Sequence, residues 1–292
     1  MSRDFPETAR PGVKVQPPKA ENNRWKTMFT LCLVLLMSPI RWAAYYSDVP
    51  PAGGFRDFQM LILDSVYHPP LDELSRGRTL LGYISVGEIE QTRSPFKPAK
   101  AKGVLAGENE NWKGSFFVDV RSTWWVDQVK IAVRHALDQG FDGVFLDTID
   151  DAEYLEDKDA AVFRGMKDAM VRLILEIRRE FPAIPIAVNR GYAIVPKIGP
   201  SVDFILGESV FSDYDFASKS YRRVPQKDYA EQVNVLKAAR QRNPKLNVLT
   251  LDYWDPKDAA GISRIYREQR TNGFSPYVST VELDRILREP IP

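Results

Sequence analysis

The chain is nearly devoid of cysteine and histidine. Its 292 residues include one cysteine, Cys32, and two histidines, His68 and His135. Cys32 lies in an apolar segment near the start, and removal of that segment would leave no cysteine for a disulfide, a thiolate-bound metal or a nucleophile. With two histidines, the chain is also poorly equipped to form a His-rich metal site or a Ser-His-Asp triad. If the protein is an enzyme, Asp and Glu must carry the proton transfers, and we expect no cofactor.

A large excess of positive charge is also missing. The formal net charge is +1, and the charge is unevenly distributed. Residues 1–44 hold seven Lys and Arg against three acids, which leaves the remainder with 33 basic and 36 acidic residues. A nucleic-acid-binding protein needs a basic stripe along the phosphate backbone, so this weakly acidic body argues against that class.

The first 44 residues differ in character from the rest. Residues 1–27 are polar, contain proline and lack periodicity, and we expect them to be disordered. Residues 28–44 contain a ten-residue apolar run after Arg24 and Lys26, which is too short to span a bilayer unaided. This pattern predicts a signal peptide and export to the periplasm or outside the cell. An uncleaved anchor at 28–44, as the protein's one membrane contact, is the alternative.

Short apolar runs and amphipathic helical patterns alternate from Phe55 onward. This alternation is typical of a parallel sheet with helical crossovers. Eight strands and about 235 residues match the α/β class in its (β/α)8 TIM-type barrel form, which we predict as one domain over residues 50–292. The predicted strands are 58–63, 80–86, 116–120, 144–146, 184–188, 202–207, 246–251 and 276–279.

Polar side chains follow most of these apolar runs. In a barrel the carboxyl ends of the strands meet at one face, where TIM-barrel enzymes place their active sites. Several carboxylates with Asn and Tyr, and without histidine, are typical of a glycosidase, which needs one carboxylic acid and one carboxylate nucleophile or base. Asp147 and Glu208 are the strongest candidates, because each ends a nearly unbroken apolar run. The residues at the strand ends are Asp64, Glu88, Asp119, Asp147, Asn189, Glu208, Asp252 and Tyr253.

Residues 147–159 are strongly acidic, with seven carboxylates and one lysine. For Asp150 and Asp151, one interpretation is attraction of a cationic substrate. A second is a solvated loop that caps the next helix, where acids favour the helix N-terminus. A third is a Ca²⁺ or Mg²⁺ site, although the spacing is not that of an EF-hand loop. Aromatic residues near strand ends, Tyr83 and Tyr253 among them, are suited to stacking on sugar rings.

Two motifs resemble a known family. GYISVGE at residues 82–88 and GFDGVFLDTID at 140–150, with the strand ends at Glu208 and Tyr253, resemble glycoside hydrolase family 114, the endo-α-1,4-polygalactosaminidase-like TIM barrels. The resemblance covers roughly residues 55–285. Two positions depart from the family's usual pattern: Ser209 follows the sixth-strand glutamate, where Asp is common, and Arg190 separates Asn189 from Gly191.

The resemblance implies cleavage of internal α-1,4 linkages in a galactosamine-rich exopolysaccharide that is cationic where it is deacetylated. It implies Asp147 and Glu208 as the catalytic acids. We expect the substrate-binding residues to be Asp64, Tyr83, Glu88, Asp150, Asp151, Asn189 and Tyr253. A non-catalytic carbohydrate-binding barrel, and a metal-dependent barrel enzyme that uses the 147–151 cluster, are the alternatives.

Overall fold

An eight-stranded parallel sheet is the central element of the computed structural model, which describes residues 39–290. Its strand order is β1-β2-β3-β7-β8-β9-β12-β13, so the predicted α/β barrel architecture is confirmed. The strands in chain order are β1 (Trp42–Tyr45), β2 (Met60–Asp64), β3 (Thr79–Ser85), β4 (Glu88–Glu90), β5 (Leu105–Glu108), β6 (Ser115–Val118), β7 (Gly143–Asp147), β8 (Ile186–Asn189), β9 (Phe204–Glu208), β10 (Ser212–Asp215), β11 (Ser220–Arg223), β12 (Asn247–Tyr253) and β13 (Ser275–Ser279).

Contacts between β1 and β13 bring the two edges of this sheet together. The indole nitrogen of Trp42 donates to the backbone carbonyl of Ser275 at 2.8 Å. The Trp42 ring lies 5.5 Å from the ring of Tyr277, and both side chains are fully buried. A parallel sheet covered on both faces is built from continuous apolar runs, which is why β2 and β13 are buried at every residue.

Helices occupy most of the connections between the barrel strands. The longer ones are amphipathic; helix α2 begins after Ser122, whose hydroxyl accepts from the backbone of Trp125, and ends at Gly140 with φ 108°. The short connection after β8 is irregular, as its length predicts. The helices are α1 (Phe96–Ala101), α2 (Thr123–Gln139), α3 (Asp151–Lys158), α4 (Ala160–Phe163), α5 (Met166–Glu180), α6 (Val195–Ile198), α7 (Gln226–Arg242) and α8 (Ala259–Thr271). None of those in residues 39–290 has the length and apolar character needed to cross a membrane.

One barrel strand differs from the sequence prediction. The predicted third strand, 116–120, is replaced by β6, which pairs antiparallel with β4 and β5 in a separate three-stranded sheet. This sheet is an insertion after β3 and does not contribute to the barrel. The strand that completes the eight is instead β1. It overlaps the predicted signal or anchor segment 28–44 and lies before the predicted domain start at residue 50. The apolar run 28–37 lies outside the described residues.

A second insertion follows β9. Strands β10 and β11 form an antiparallel hairpin, residues 212–223, between β9 and helix α7. Arg222 pairs with Asp215 at 2.6 Å across this hairpin. Tyr214 and Tyr221 pack against the barrel core, which holds the base of the hairpin in place. Both insertions therefore stand at the carboxyl-terminal face of the barrel.

Candidate active site

Asp147 and Glu208 end strands β7 and β9 at the carboxyl-terminal face. A single side chain, Asn189 at the end of β8, joins them. Its amide nitrogen donates to Asp147 Oδ1 at 2.8 Å and to Glu208 Oε2 at 2.6 Å. The two carboxylate oxygens therefore lie no further apart than the sum of these distances, about 5.4 Å. The barrel brings together two acids that are 61 residues apart in the chain.

Three tyrosines surround this pair. The hydroxyl of Tyr253 donates to Glu208 Oε1 at 2.5 Å. Tyr83 hydrogen-bonds Asp147, and its ring lies 5.0 Å from that of Tyr46. Burial and the nearby carboxylates raise the pKa of all three phenols well above the usual value of 10.0. They are therefore neutral and able to donate hydrogen bonds at physiological pH.

The two carboxyls differ in their surroundings. Burial raises the pKa of both, but Asp147 accepts hydrogen bonds from Asn189, Tyr83 and the Thr148 backbone, all of which favour its ionised form. Glu208 faces the charge of Asp147, which raises its pKa further, and only Tyr253, Asn189 and the more distant Arg190 oppose this. The environment therefore favours an ionised Asp147 beside a Glu208 that retains its proton to higher pH.

The residues after the three central strand ends share a backbone conformation. Thr148, Arg190 and Ser209 have φ values of 61°, 54° and 53°, in the left-handed region that costs a non-glycine residue about 1 kcal/mol or more. The Thr148 hydroxyl accepts from the backbone nitrogen of Gly87 at 2.8 Å, which ties β7 to β3. These turns direct the chain away from the barrel immediately after Asp147, Asn189 and Glu208.

Asp64 and Glu88, two predicted substrate-binding residues, are committed to contacts within the protein. Asp64 pairs with Arg93 at 2.5 Å and accepts from the backbone of Val66 at 2.8 Å. These contacts lower its pKa against the opposing effect of burial. Glu88 accepts from Asn109 at 2.6 Å and from Ser115 at 2.5 Å, and both carboxylates are buried. In this structure they order the loops around the site; direct substrate contact by either stays a prediction.

The acidic segment after β7 differs from the expected cluster of free negative charges. Asp150 lies 3.5 Å from Arg190, whose charge offsets its own. Burial and neighbouring Glu88 raise the pKa of Asp151 to about 10, so this side chain is neutral at pH 7. Asp151 therefore does not supply the negative charge that the sequence predicted there. Within residues 39–290, no group of three or more Asp, Glu, His and Cys side chains is arranged to hold a metal ion.

The sequence analysis missed Tyr46 as a site residue. It directly follows β1, its ring contacts that of Tyr83, and burial together with the charges of nearby Asp147 and Glu208 raises its pKa. The signal was present, because the apolar run Trp42–Tyr45 ends in a polar aromatic residue just as the other strands end in polar residues. Assignment of 28–44 to a signal or anchor concealed that pattern.

A cleft of about 690 Å³ is lined by residues that follow the site strands, although neither Asp147 nor Glu208 lines it. It lies between the turns after β8 and β9, the hairpin 212–223 and the start of helix α7. Arg190 and Ser209 connect it to the strand ends that carry Asn189 and Glu208. Its lining includes polar side chains beside apolar surface, among them Tyr192, Asp213, Asp228, Glu231 and Gln232. Such a lining is suited to a hydroxyl-rich ligand.

Comparison with known proteins identifies relatives of this arrangement. The family model described as glycoside-hydrolase family GH114 matches residues 11–290. The glycoside hydrolase domain of PelA from Pseudomonas aeruginosa has a TM-score of 0.75 and 26% identity, over 84% of this chain and 96% of that domain. Ega3 from Aspergillus fumigatus, solved in complex with galactosamine, has the same fold, with a TM-score of 0.66 and 15% identity over 86% of this chain and 94% of its own. An uncharacterized protein of Thermotoga maritima is 26% identical over 224 residues, 70% of this chain and 67% of that protein.

Proposed function

The chain belongs to glycoside-hydrolase family GH114 and is a glycoside hydrolase, and from this premise we propose that it cleaves internal α-1,4 linkages of a galactosamine-rich polysaccharide with retention of configuration. The observation that carries the proposed mechanism is the shared hydrogen-bond donor, Asn189. It limits the separation of the Asp147 and Glu208 oxygens to about 5.4 Å. Retaining enzymes hold their carboxyls about 5–5.5 Å apart, whereas inverting enzymes need about 6.5–9.5 Å to admit a water.

In the proposed reaction Asp147 is the nucleophile and Glu208 the acid. An Asp147 oxygen forms a bond to the anomeric carbon while the glycosidic bond breaks and the Glu208 proton passes to the leaving oxygen. Water then attacks the anomeric carbon of the glycosyl-Asp147 ester, transfers its proton to Glu208 and releases Asp147 as a carboxylate. The hydrogen bonds that favour an ionised Asp147, and the charge that keeps Glu208 protonated, support this assignment.

The remaining site residues position the two carboxyl groups. Tyr253 and Asn189 orient Glu208, and Tyr83 and Asn189 orient Asp147. The carbonyl oxygen of Asn189 is buried and has no hydrogen-bond partner among the described residues. A buried acceptor without a partner costs roughly 1–3 kcal/mol. The galactosamine bound by Ega3 supports the choice of an amino-sugar polymer.

The test uses two substrates and three proteins. Glu208→Gln should lose on the order of 10² or more in kcat on the polymer, but retain much more activity on an aryl glycoside whose leaving group needs no proton. Asp147→Asn should lose activity on both substrates. In the wild type, NMR of the first product should show the substrate's own anomeric configuration. An inverted first product, or an active Asp147→Asn enzyme, would refute the mechanism.

Export is also proposed, on the strength of Arg24, Lys26 and the apolar run 28–37. A secreted enzyme would meet an exopolysaccharide where the polymer accumulates. Fractionation of cells that produce the full chain with a C-terminal tag should place the protein outside the cytoplasm. Deletion of residues 28–37 should return it to the cytoplasm.

A further inference from the structure

Two large aromatic side chains on the insertions are exposed and contact each other. Trp112 lies in the turn between β5 and β6, and Phe216 lies at the tip of the hairpin 212–223. Their ring centroids are 5.2 Å apart at an interplanar angle of 77°, an edge-to-face arrangement. Even in contact, Trp112 is 54% exposed and Phe216 is 50% exposed. Much of both rings is therefore open to a ligand.

This contact joins opposite parts of the barrel's carboxyl-terminal face. The insertion that carries Trp112 follows β3, and the hairpin that carries Phe216 follows β9. Strands β7 and β8 lie between β3 and β9 in the sheet, and their ends carry Asp147 and Asn189. The two insertions therefore leave the carboxyl-terminal face from strands on either side of β7 and β8, and the contact between Trp112 and Phe216 joins them.

Each ring belongs to a turn that is held in place by contacts within its own insertion. The Trp112 turn is closed by the backbone hydrogen bond from Ser115 to Trp112, at 2.9 Å, and Ser115 and Asn109 also bind Glu88. Phe216 packs against Tyr214 at 5.2 Å, within the hairpin whose base is held by the core. Neither ring is needed to fill the barrel core, so their position is not explained by packing of the fold.

We propose that Trp112 and Phe216 form an aromatic clamp that binds an amino-sugar unit of the polysaccharide next to the cleaved bond. The apolar face of a sugar stacks on an aromatic ring, and a protonated amine is attracted to the negative face of Trp more strongly than to other rings. The clamp rests on the proposed function, since it names a further binding element for the same substrate. It acts on binding of the polymer and takes no part in bond cleavage.

The experiment separates binding from cleavage. Affinity of a partly deacetylated galactosaminoglycan would be measured by titration calorimetry with Glu208→Gln, alone and combined with Trp112→Ala or Phe216→Ala. Initial rates on the polymer and on a single-unit aryl galactosaminide would be measured in the active enzyme with the same substitutions. The matched control is Ile131→Ala, because Ile131 is 53% exposed on the outer helix α2, away from this face. Trp112→Phe tests whether a ring suffices.

We expect each clamp substitution to weaken polymer binding and raise its KM on the order of fivefold, with kcat and the rate on the aryl glycoside within twofold. Trp112→Phe should recover most of the loss, and Ile131→Ala should have no effect. Unchanged polymer binding in both alanine variants of an active enzyme would refute the clamp alone. Equal losses on polymer and aryl glycoside would also refute it, because they indicate a structural role. If the Glu208→Gln protein with an intact clamp binds no galactosaminoglycan, the proposed substrate is wrong. The clamp proposal, which depends on that substrate, is then wrong as well.

Discussion

Asn189 is the residue on which the chemistry of the site depends most. One amide nitrogen contacts both carboxyls, so it sets their separation and lowers the pKa of each. A sequence pattern can place an amide at a strand end, but it cannot show that this amide serves two acids from neighbouring strands. The same residue therefore connects the geometry of the site to its dependence on pH.

Replacement of Asn189 by alanine should displace the pH profile. Loss of its hydrogen bonds removes an influence that lowers the pKa of Asp147, so the acidic limb of kcat/KM should move to higher pH. We also expect a loss of activity on the order of tenfold or more at the optimum, because the two carboxyls lose their common support. The measurement is kcat/KM from about pH 4 to 9. An unchanged acidic limb would show that Asn189 does not act on the nucleophile.

Asp151→Asn should stabilise the protein, and increasingly so as the pH rises. The pKa of Asp151 is raised from 3.8 to about 10, so between these values the folded protein binds a proton that the unfolded chain releases. Stability in the wild type therefore falls as pH increases through this window, whereas Asn does not titrate. The Tm difference between variant and wild type should be larger at pH 9 than at pH 5, with activity retained.

The control for Asp151 is Asp157→Asn on the same helix. Asp157 is exposed and pairs with Lys167 at 2.8 Å, and such surface pairs contribute little. Its effect on Tm should be small at every pH. If Asp151→Asn lowered Tm equally at pH 5 and 9, the Asp151 side chain would be ionised in the folded protein, and its assignment as a neutral acid would be wrong.

Among the elements, β1 completes the barrel, and the two insertions extend its carboxyl-terminal face. β1 closes the sheet against β13, and it also places Tyr46 beside the carboxyl pair. The insertions 88–118 and 212–223 are built from strands that pair locally and antiparallel, so they add loops to the face without altering the barrel. Strand β1 therefore belongs to the barrel itself, whereas the insertions form part of the face where we propose that the substrate binds.

Trp42→Ala tests the assignment of β1 to the barrel. Trp42 is buried, contacts Tyr277 and donates to Ser275, so its truncation should cost about 3–5 kcal/mol of folding free energy. The measurement is denaturant unfolding followed by fluorescence. Trp112→Ala serves as the control, since an exposed tryptophan should leave the free energy of unfolding nearly unchanged. Equal stability of the two variants would remove Trp42 from the folded domain.

At the scale of the whole molecule, the negative charges close to the site are partly balanced by a positive one. The body of the protein is weakly acidic, yet Arg190 lies near Asp147 and Glu208 and pairs with Asp150. The cationic polymer that we propose as substrate would therefore meet a positive charge at the position where the family's usual pattern has glycine. Arg190 also adopts φ 54°, which glycine adopts at lower cost than arginine.

Arg190→Gly should favour the cationic form of the substrate. Removal of the positive charge removes its repulsion of ammonium groups, so KM for a deacetylated polymer should fall relative to that for the acetylated polymer. This difference should shrink as salt increases, because screening acts over about 8 Å at physiological ionic strength. Arg172→Ala, an equal change of charge at an exposed position of helix α5, is the control. A salt-independent change, equal on both polymers, would refute the electrostatic explanation.

The sequence by itself determined the architecture and the two central acids as candidates. Apolar runs of strand length that end in polar residues are local patterns, and they require only that parallel strands end at one face. Tertiary structure alone decided which eight strands close, since pairing of β1 with β2 and contact with β13 join residues far apart in the chain. It also decided the surroundings of each acid. Asp64, Glu88, Asp150 and Asp151 look alike in sequence, but they differ in their contacts with Arg93, Asn109 and Arg190 and in their burial, which only the folded chain establishes.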